Sequence, residues 1–204
     1  GGIGLIASRL TLEGPIQKGK SSFMISGRRT YADIFLRPIV RKQNNDDLDV
    51  GYFFYDLNAK ANIYLGKNDH LYLSGYFGND KFDSYEYSSY ATSQDIYRNG
   101  IQWGNATGVV RWNHEFNRKL FGNATINYTR YRFDLFSEEK WIDSNTTELA
   151  AQRYFSGIND VSAKVDFDFL PTPNHFIKAG AGVTWHQYSP GAFQSKVNTA
   201  SYNI

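Results

Sequence analysis

Apolar and polar residues alternate with a period of two in eight segments of this chain. In the clearest segment, Leu57, Ala59 and Ala61 alternate with Asn58 and Lys60. Successive side chains of a strand point to opposite faces of a sheet, whereas this spacing would scatter the apolar residues around a helix. The pattern therefore predicts eight strands. They lie at 6–13, 22–28, 56–65, 70–77, 105–113, 120–129, 161–169 and 177–186.

The connections between these segments alternate between short and long. Short polar turns alternating with long loops are typical of a transmembrane β-barrel, with the turns on one side of the membrane. The sequence predicts an all-β, antiparallel, up-and-down transmembrane β-barrel. The short turns lie at 14–19, 66–69, 117–119 and 171–174, and the long loops at 38–50, 83–102 and 136–157.

Two details of the long connections add local expectations. The alternation changes phase near residues 29–31, where it predicts a β-bulge or the end of a lipid-facing band. Asn145 and Glu148 have the spacing of a helix capping box, which predicts a short helix in the third loop.

The two faces of the predicted strands differ in chemistry. One face is apolar with many alanines, which suits fluid lipid better than an interdigitated core. The other carries charges such as Asp56, Lys60 and Lys164, which a dry core would not tolerate unpaired. Aromatic residues gather near the strand ends, as in the interfacial belts of membrane proteins. A soluble glycan-binding β-sandwich with one solvated face remains an alternative.

Composition narrows the functional classes. Apolar residues make up 41% of the 204 residues and aromatic residues 17%, which fits strands with one apolar face. The chain has no Cys, so it forms no disulfide. A net charge of +2 gives no general electrostatic reason to bind nucleic acid. No nucleophile motif appears and no pair of histidines has metal-ligand spacing, so we expect no enzyme activity and no cofactor.

The parity of the connections predicts where the two ends lie. Four short turns and three long loops place both ends on the long-loop side, whereas a complete bacterial barrel is expected to start and finish on the short-turn side. We therefore expect residues 1–204 to be a partial barrel domain, about eight consecutive strands of a larger barrel. A complete eight-stranded barrel with an adhesin or structural role is the alternative.

Several stretches resemble a known family of transporters. GLIASRLTLEGPI at 4–16, FMISGRRTY at 23–31, YDLNAK at 55–60 and LYLSGYFG at 71–78 resemble the early barrel of TonB-dependent outer-membrane transporters of the SusC/RagA type from Bacteroidetes. The resemblance is most specific up to about residue 83.

This resemblance implies a 22-stranded barrel in the bacterial outer membrane, plugged by an N-terminal domain. It implies active import of a glycan or peptide nutrient, coupling to TonB–ExbB–ExbD through the plug, and a SusD-like surface lipoprotein as a lid. The plug domain and the remaining strands are absent from these 204 residues.

Three groups of residues are candidates for binding. Arg28 is expected to face the lumen, where it is a candidate for contact with the plug, although a solvated arginine of the wall is the favoured interpretation. Acidic residues at 46–49 offer oxygen ligands for Ca²⁺, but they lack a full EF-hand pattern and a solvated loop is the favoured interpretation. Aromatic residues in the long loops are candidates for contact with substrate or lid. The calcium candidates are Asp46, Asp47 and Asp49, and the aromatic candidates are Tyr85, Tyr87, Tyr90, Tyr97 and Trp141.

Overall fold

The computed structural model describes residues 1–201, which form one nine-stranded antiparallel sheet and one helix. Each strand pairs with the next in sequence, so the sheet is an up-and-down meander. The all-β, antiparallel prediction is confirmed. The elements are β1 (Gly2–Ile3), β2 (Ala7–Gln17), β3 (Ser21–Thr30), α1 (Ala32–Gln43), β4 (Leu48–Tyr64), β5 (Asp69–Ser89), β6 (Ser93–Asn117), β7 (Leu120–Asp143), β8 (Thr146–Thr172) and β9 (His175–Ser201).

The four predicted short turns are present, and each predicted segment corresponds to one of the strands β2 to β9. The connections at 18–20, 65–68, 118–119 and 173–174 are all tight. In the first of them Gly19 has a φ of 72°, a left-handed conformation that glycine adopts without a steric cost.

Two of the predicted long loops are wrong, because the strands continue through them. Strands β5 and β6 pair as far as Ser89 and Gln94, and β7 and β8 pair as far as Ile142 and Thr147. The connections that remain are only 90–92 and 144–145. The helix expected near Glu148 is also wrong, since that residue lies in β8 and pairs with both neighbouring strands. Pairing on both sides satisfies the backbone that a helix would otherwise satisfy.

The remaining long connection contains helix α1. Strand β3 ends at Thr30 and the helix begins at Ala32, so the change of phase marks a strand-to-helix boundary and no bulge. Asp33 in the first turn and Arg41 in the last turn both complement the helix dipole. Among the described residues, no helix combines the length and the apolar character needed to cross a membrane.

The sheet is open over the described residues. Strand β1 pairs only with β2, and β9 pairs only with β8. A closed eight-stranded barrel is therefore not formed by this part of the chain. The loop-like ending expected from the sequence at residues 202–204 lies outside the described residues.

Candidate functional site

The pairing of the strands places apolar residues of eight strands side by side on one face of the sheet. We call these residues the apolar band and the face that carries them the band face. Because directly paired residues share a face, each row of pairs can be followed across the sheet. One row runs Gly14, Phe23, Ala61, Leu73, Val110, Ile126, Ala163 and Val183. The next runs Leu12, Ile25, Ala59, Gly75, Gly108, Tyr128, Val161 and Trp185.

The apolar band is exposed. Trp185 is 76% exposed, Val183 70% and Ile126 58%, and no hydrophobic residue is fully buried among those the structure describes. An exposed apolar surface of this extent is typical of a binding or membrane-contacting surface. The sheet therefore does not bury its apolar face against itself.

The band has the height expected of a lipid-facing surface. On β8 it extends from Val161 to Phe169, eight residue steps, or about 26 Å along the strand. With strands tilted by about 40°, this corresponds to roughly 20 Å along the membrane normal, close to the apolar belt of about 25 Å in outer-membrane barrels.

The position of the band along the strands differs between the two halves of the sheet. On β4 the band runs from Leu57 to Ile63, so its centre is level with Lys60. On β8 it runs from Val161 to Phe169, so its centre is Val165, which lies in the same row as Ile63. The centre therefore shifts by three residues, about 10 Å, across four strand spacings of about 4.8 Å each. The whole shift lies between β6 and β7, since Lys60, Ser74 and Val109 share one row.

The opposite face is polar at the same level, as the sequence predicts; we call it the polar face. The row between the two apolar rows includes Lys60, Ser74, Asn127, Ser162 and Thr184. Ion pairs lie within this face, with 2.9 Å between Nζ of Lys164 and Oδ2 of Asp166. Charged groups at this density require water or polar partners.

Beyond the band, away from the short turns, the two faces exchange their character. On β7, Ala124 and Ile126 of the band are followed on the same face by Arg130 and Arg132, while Phe133 turns to the polar face. No register shift interrupts the pairing of β7 with β8, so the strand itself is regular. The same face thus carries an apolar zone and then a charged zone.

Four charged residues hold helix α1 against the charged zone of the band face. We call Arg37, Arg41, Asp49 and Asp83 the arginine latch. Arg37 lies 2.6 Å from a carboxylate oxygen of Asp49 and 2.6 Å from one of Asp83. Arg41 lies 2.7 Å from the same oxygen of Asp49. Two guanidinium groups therefore share one carboxylate.

The centre of the latch is the buried carboxylate. The Asp49 side chain is only 8% exposed. Its burial by itself raises the pKa, but hydrogen bonds from Arg41 and Arg37 and their positive charges outweigh burial and hold the pKa of Asp49 below its ordinary value. Asp49 therefore stays ionised while the latch is intact.

Gly51 makes room for the latch. It pairs with Asp83 across the sheet, on the face where Arg37 lies. A Cβ at residue 51 would lie 2.6 Å from Cζ of Arg37, too close for two carbon atoms. A glycine here allows the guanidinium group to lie directly on the strand.

Arg28 has a partner within the sheet. It lies on the polar face, 2.6 Å from Asp56 of the paired strand, with its Cζ 4.9 Å from the centre of the Phe54 ring. The guanidinium is thus used in the wall of the sheet, and its contact with a plug stays a prediction.

The aromatic candidates do not form one cluster, and four of the five lie on strands. Tyr85 and Tyr87 lie on β5 at band-face positions, whereas Tyr97 on β6 and Trp141 on β7 lie on the polar face. Tyr90 lies in the turn between β5 and β6. The ring of Tyr85 lies 5.6 Å from Cζ of Arg98. Their contact with substrate or lid stays a prediction.

The three calcium candidates have different surroundings. Asp46 has a φ of 68° in the turn after α1, and Asp47 follows it, whereas Asp49 is bound by two arginines. Over residues 1–201, the structure brings together no group of three acidic, His or Cys side chains suited to a metal. The arginine latch was missed from the sequence, although Arg37 and Arg41 have helical spacing.

No family model and no curated protein matches this sequence. Among solved structures, the crystal structure of a Pseudomonas aeruginosa FadL homologue is similar over 94% of this chain and 75% of its own, with 9% identity and a TM-score of 0.24. A similarity at this level supports no inference about function.

Proposed function

We propose that this sheet is part of the wall of a β-barrel in a bacterial outer membrane and that the protein transports a nutrient. The observation that carries the proposal is the apolar band, which is free of charge, exposed and backed by a polar face. Lipid would cover the band, and the polar face would line a water-filled lumen. A lumen lined by ion pairs such as Lys164–Asp166 would remain hydrated.

The proposal extends to the type of transporter, and there it rests on the sequence resemblance. We infer that the barrel has 22 strands with a plug domain, and that import of a glycan or peptide depends on TonB–ExbB–ExbD. A SusD-like lipoprotein would cover the side that carries the β5–β6 and β7–β8 hairpins. The residues of the wall would then shape the lumen and keep it hydrated, and they would catalyse no reaction.

Uptake measurements test the proposal. Cells with and without the gene receive labelled oligosaccharide or peptide mixtures, and the same comparison is made in cells lacking TonB. We expect uptake of one substrate class to fall in both mutants. Uptake that depends on the gene and is unchanged without TonB would refute the energy coupling. Recovery of the protein in the aqueous fraction without detergent would refute the membrane location.

A further inference from the structure

Helix α1 carries its charged residues on one side and its apolar residues on the other. Asp33, Arg37 and Arg41 are spaced by four residues and therefore form one stripe along the helix. The apolar residues Phe35 and Ile39 lie on the opposite side with Leu36 beside them, whereas Ile34 lies at the edge of the charged stripe. The helix is thus amphipathic.

The charged stripe, and not the apolar one, faces the sheet. Arg37 and Arg41 bind Asp49 in the arginine latch, and Asp33 lies 3.3 Å from Arg29 of β3. The apolar residues of the opposite side point away, with Phe35 49% exposed, Leu36 38% and Ile39 54%. A helix on the surface of a soluble domain has the reverse orientation, with its apolar stripe against the core.

The helix lies on the same face as the apolar band. The pairing of β4 with β5 is continuous, so Gly51 beneath the helix shares its face with Leu57 of the band. At its start, the helix lies beside Arg29, whose partner Tyr55 is two residues from Leu57, or about 7 Å along the strand. The exposed face of α1 therefore begins at the edge of the apolar band.

The far end of the helix is basic. Arg41 and Lys42 occupy the last turn, and Arg41 is half exposed despite its bond to Asp49. Basic residues beside an apolar helical face suit the phosphate groups of a lipid surface, which lie above the acyl chains that the apolar face would enter.

We propose that α1 is an interfacial helix, which inserts Phe35, Leu36 and Ile39 at the boundary between headgroups and acyl chains of the membrane. This inference rests on the proposed membrane location of the band. The arginine latch holds the helix on the wall with its apolar face directed into lipid. Lipid is the proposed occupant of this face.

Site-directed spin labelling tests the helix directly, because the chain has no native Cys. The intact protein carries one labelled cysteine at a time, F35C or I39C, in phospholipid vesicles containing anionic lipid. The label's relaxation by oxygen, which concentrates in lipid, is compared with its relaxation by a water-soluble nickel chelate. N45C in the turn after the helix is the aqueous control, and V183C is the reference for the apolar band. Unchanged circular dichroism verifies folding of each variant.

We expect the oxygen-to-nickel ratio at positions 35 and 39 to exceed that at 45 severalfold and to approach that at 183. A ratio at 35 and 39 equal to that at 45, with 183 in lipid, overturns the interfacial helix and leaves the membrane wall intact. Low accessibility to both reagents at 35 and 39 also overturns it, because protein would cover the helix. An aqueous ratio at 183 refutes the membrane wall itself.

Discussion

Replacing Gly51 with Ala should release helix α1 from the sheet without altering the strand beneath it. The new Cβ would lie 2.6 Å from Cζ of Arg37, so the guanidinium has to leave. Arg37 would then lose its contacts with Asp49 and Asp83, both 2.6 Å long. Arg41 alone would remain on the buried carboxylate of Asp49.

The magnitude follows from these contacts. Hydrogen bonds to charged groups contribute about 1.5–3 kcal/mol each, but partly exposed ion pairs contribute less than 1 kcal/mol. Since the Arg37 side chain is 31% exposed, we take about 2 kcal/mol for the two contacts together. This corresponds to a rise of roughly 30-fold in the population of the undocked helix.

Hydrogen exchange of the α1 amides measures this opening. The matched control is Gly108→Ala, because a Cβ there meets no atom within 4 Å. We expect faster exchange in α1 for Gly51→Ala and exchange at the wild-type rate for Gly108→Ala. In an Arg37→Ala background, Gly51→Ala should add little, because both changes remove the same contacts. Equal exchange in Gly51→Ala and wild type, or full additivity of the two substitutions, would refute the role of the latch.

Three further predictions concern the same contacts and sites. The pKa of Asp49 is below its ordinary value of 3.8, so the stability that the latch contributes is present above pH 3.8 and is lost as the pH falls through the lower folded pKa. Hydrogen exchange of α1, corrected for its intrinsic rate, should therefore rise below about pH 4 in wild type, and Asp49→Asn should abolish this pH dependence. A double-mutant cycle of Arg28→Ala and Asp56→Ala, read by thermal unfolding in detergent, should give a coupling of about 0.5–1 kcal/mol, and a coupling of zero would contradict the pair. Calcium and a chelator should leave the melting temperature unchanged, and a calcium-dependent rise that Asp46→Asn or Asp47→Asn abolishes would restore the calcium site.

The sequence predicted strands well where one face stays apolar. The segment from Val161 to Phe169 alternates cleanly and lies in β8 as expected. The prediction failed where the apolar residues cross to the other face. Beyond Tyr128, β7 continues with Arg130 on the band face and Phe133 on the polar face, so the period of two persists while its phase reverses. The sequence prediction required one face of each strand to stay apolar, so it ended the strand where the phase reverses.

The arginine latch could not be predicted for a different reason. Asp49 and Asp83 are 34 residues apart, and both bind Arg37 only because β4 and β5 pair with Gly51 opposite Asp83. Register in the sheet brings such residues together, and a single sequence specifies register only where an apolar face or a tight turn fixes it. The helix itself had a local signal in the spacing of Arg37 and Arg41.

The most direct test of the membrane wall is a pair of lysine substitutions at adjacent residues of β9. Val183 lies on the apolar band and Thr184 on the polar face, with Ala163 and Ser162 as their respective partners. Lysine on a lipid-facing position near the membrane centre costs about 2–4 kcal/mol, whereas a lumen position tolerates it. Assembly is measured as the fraction of protein resistant to alkaline extraction and retaining folded mobility in unheated gels. We expect Val183→Lys to reduce this fraction severalfold and Thr184→Lys to leave it near that of wild type. Equal tolerance of the two substitutions, or a larger loss for Thr184→Lys, would contradict a lipid-facing band.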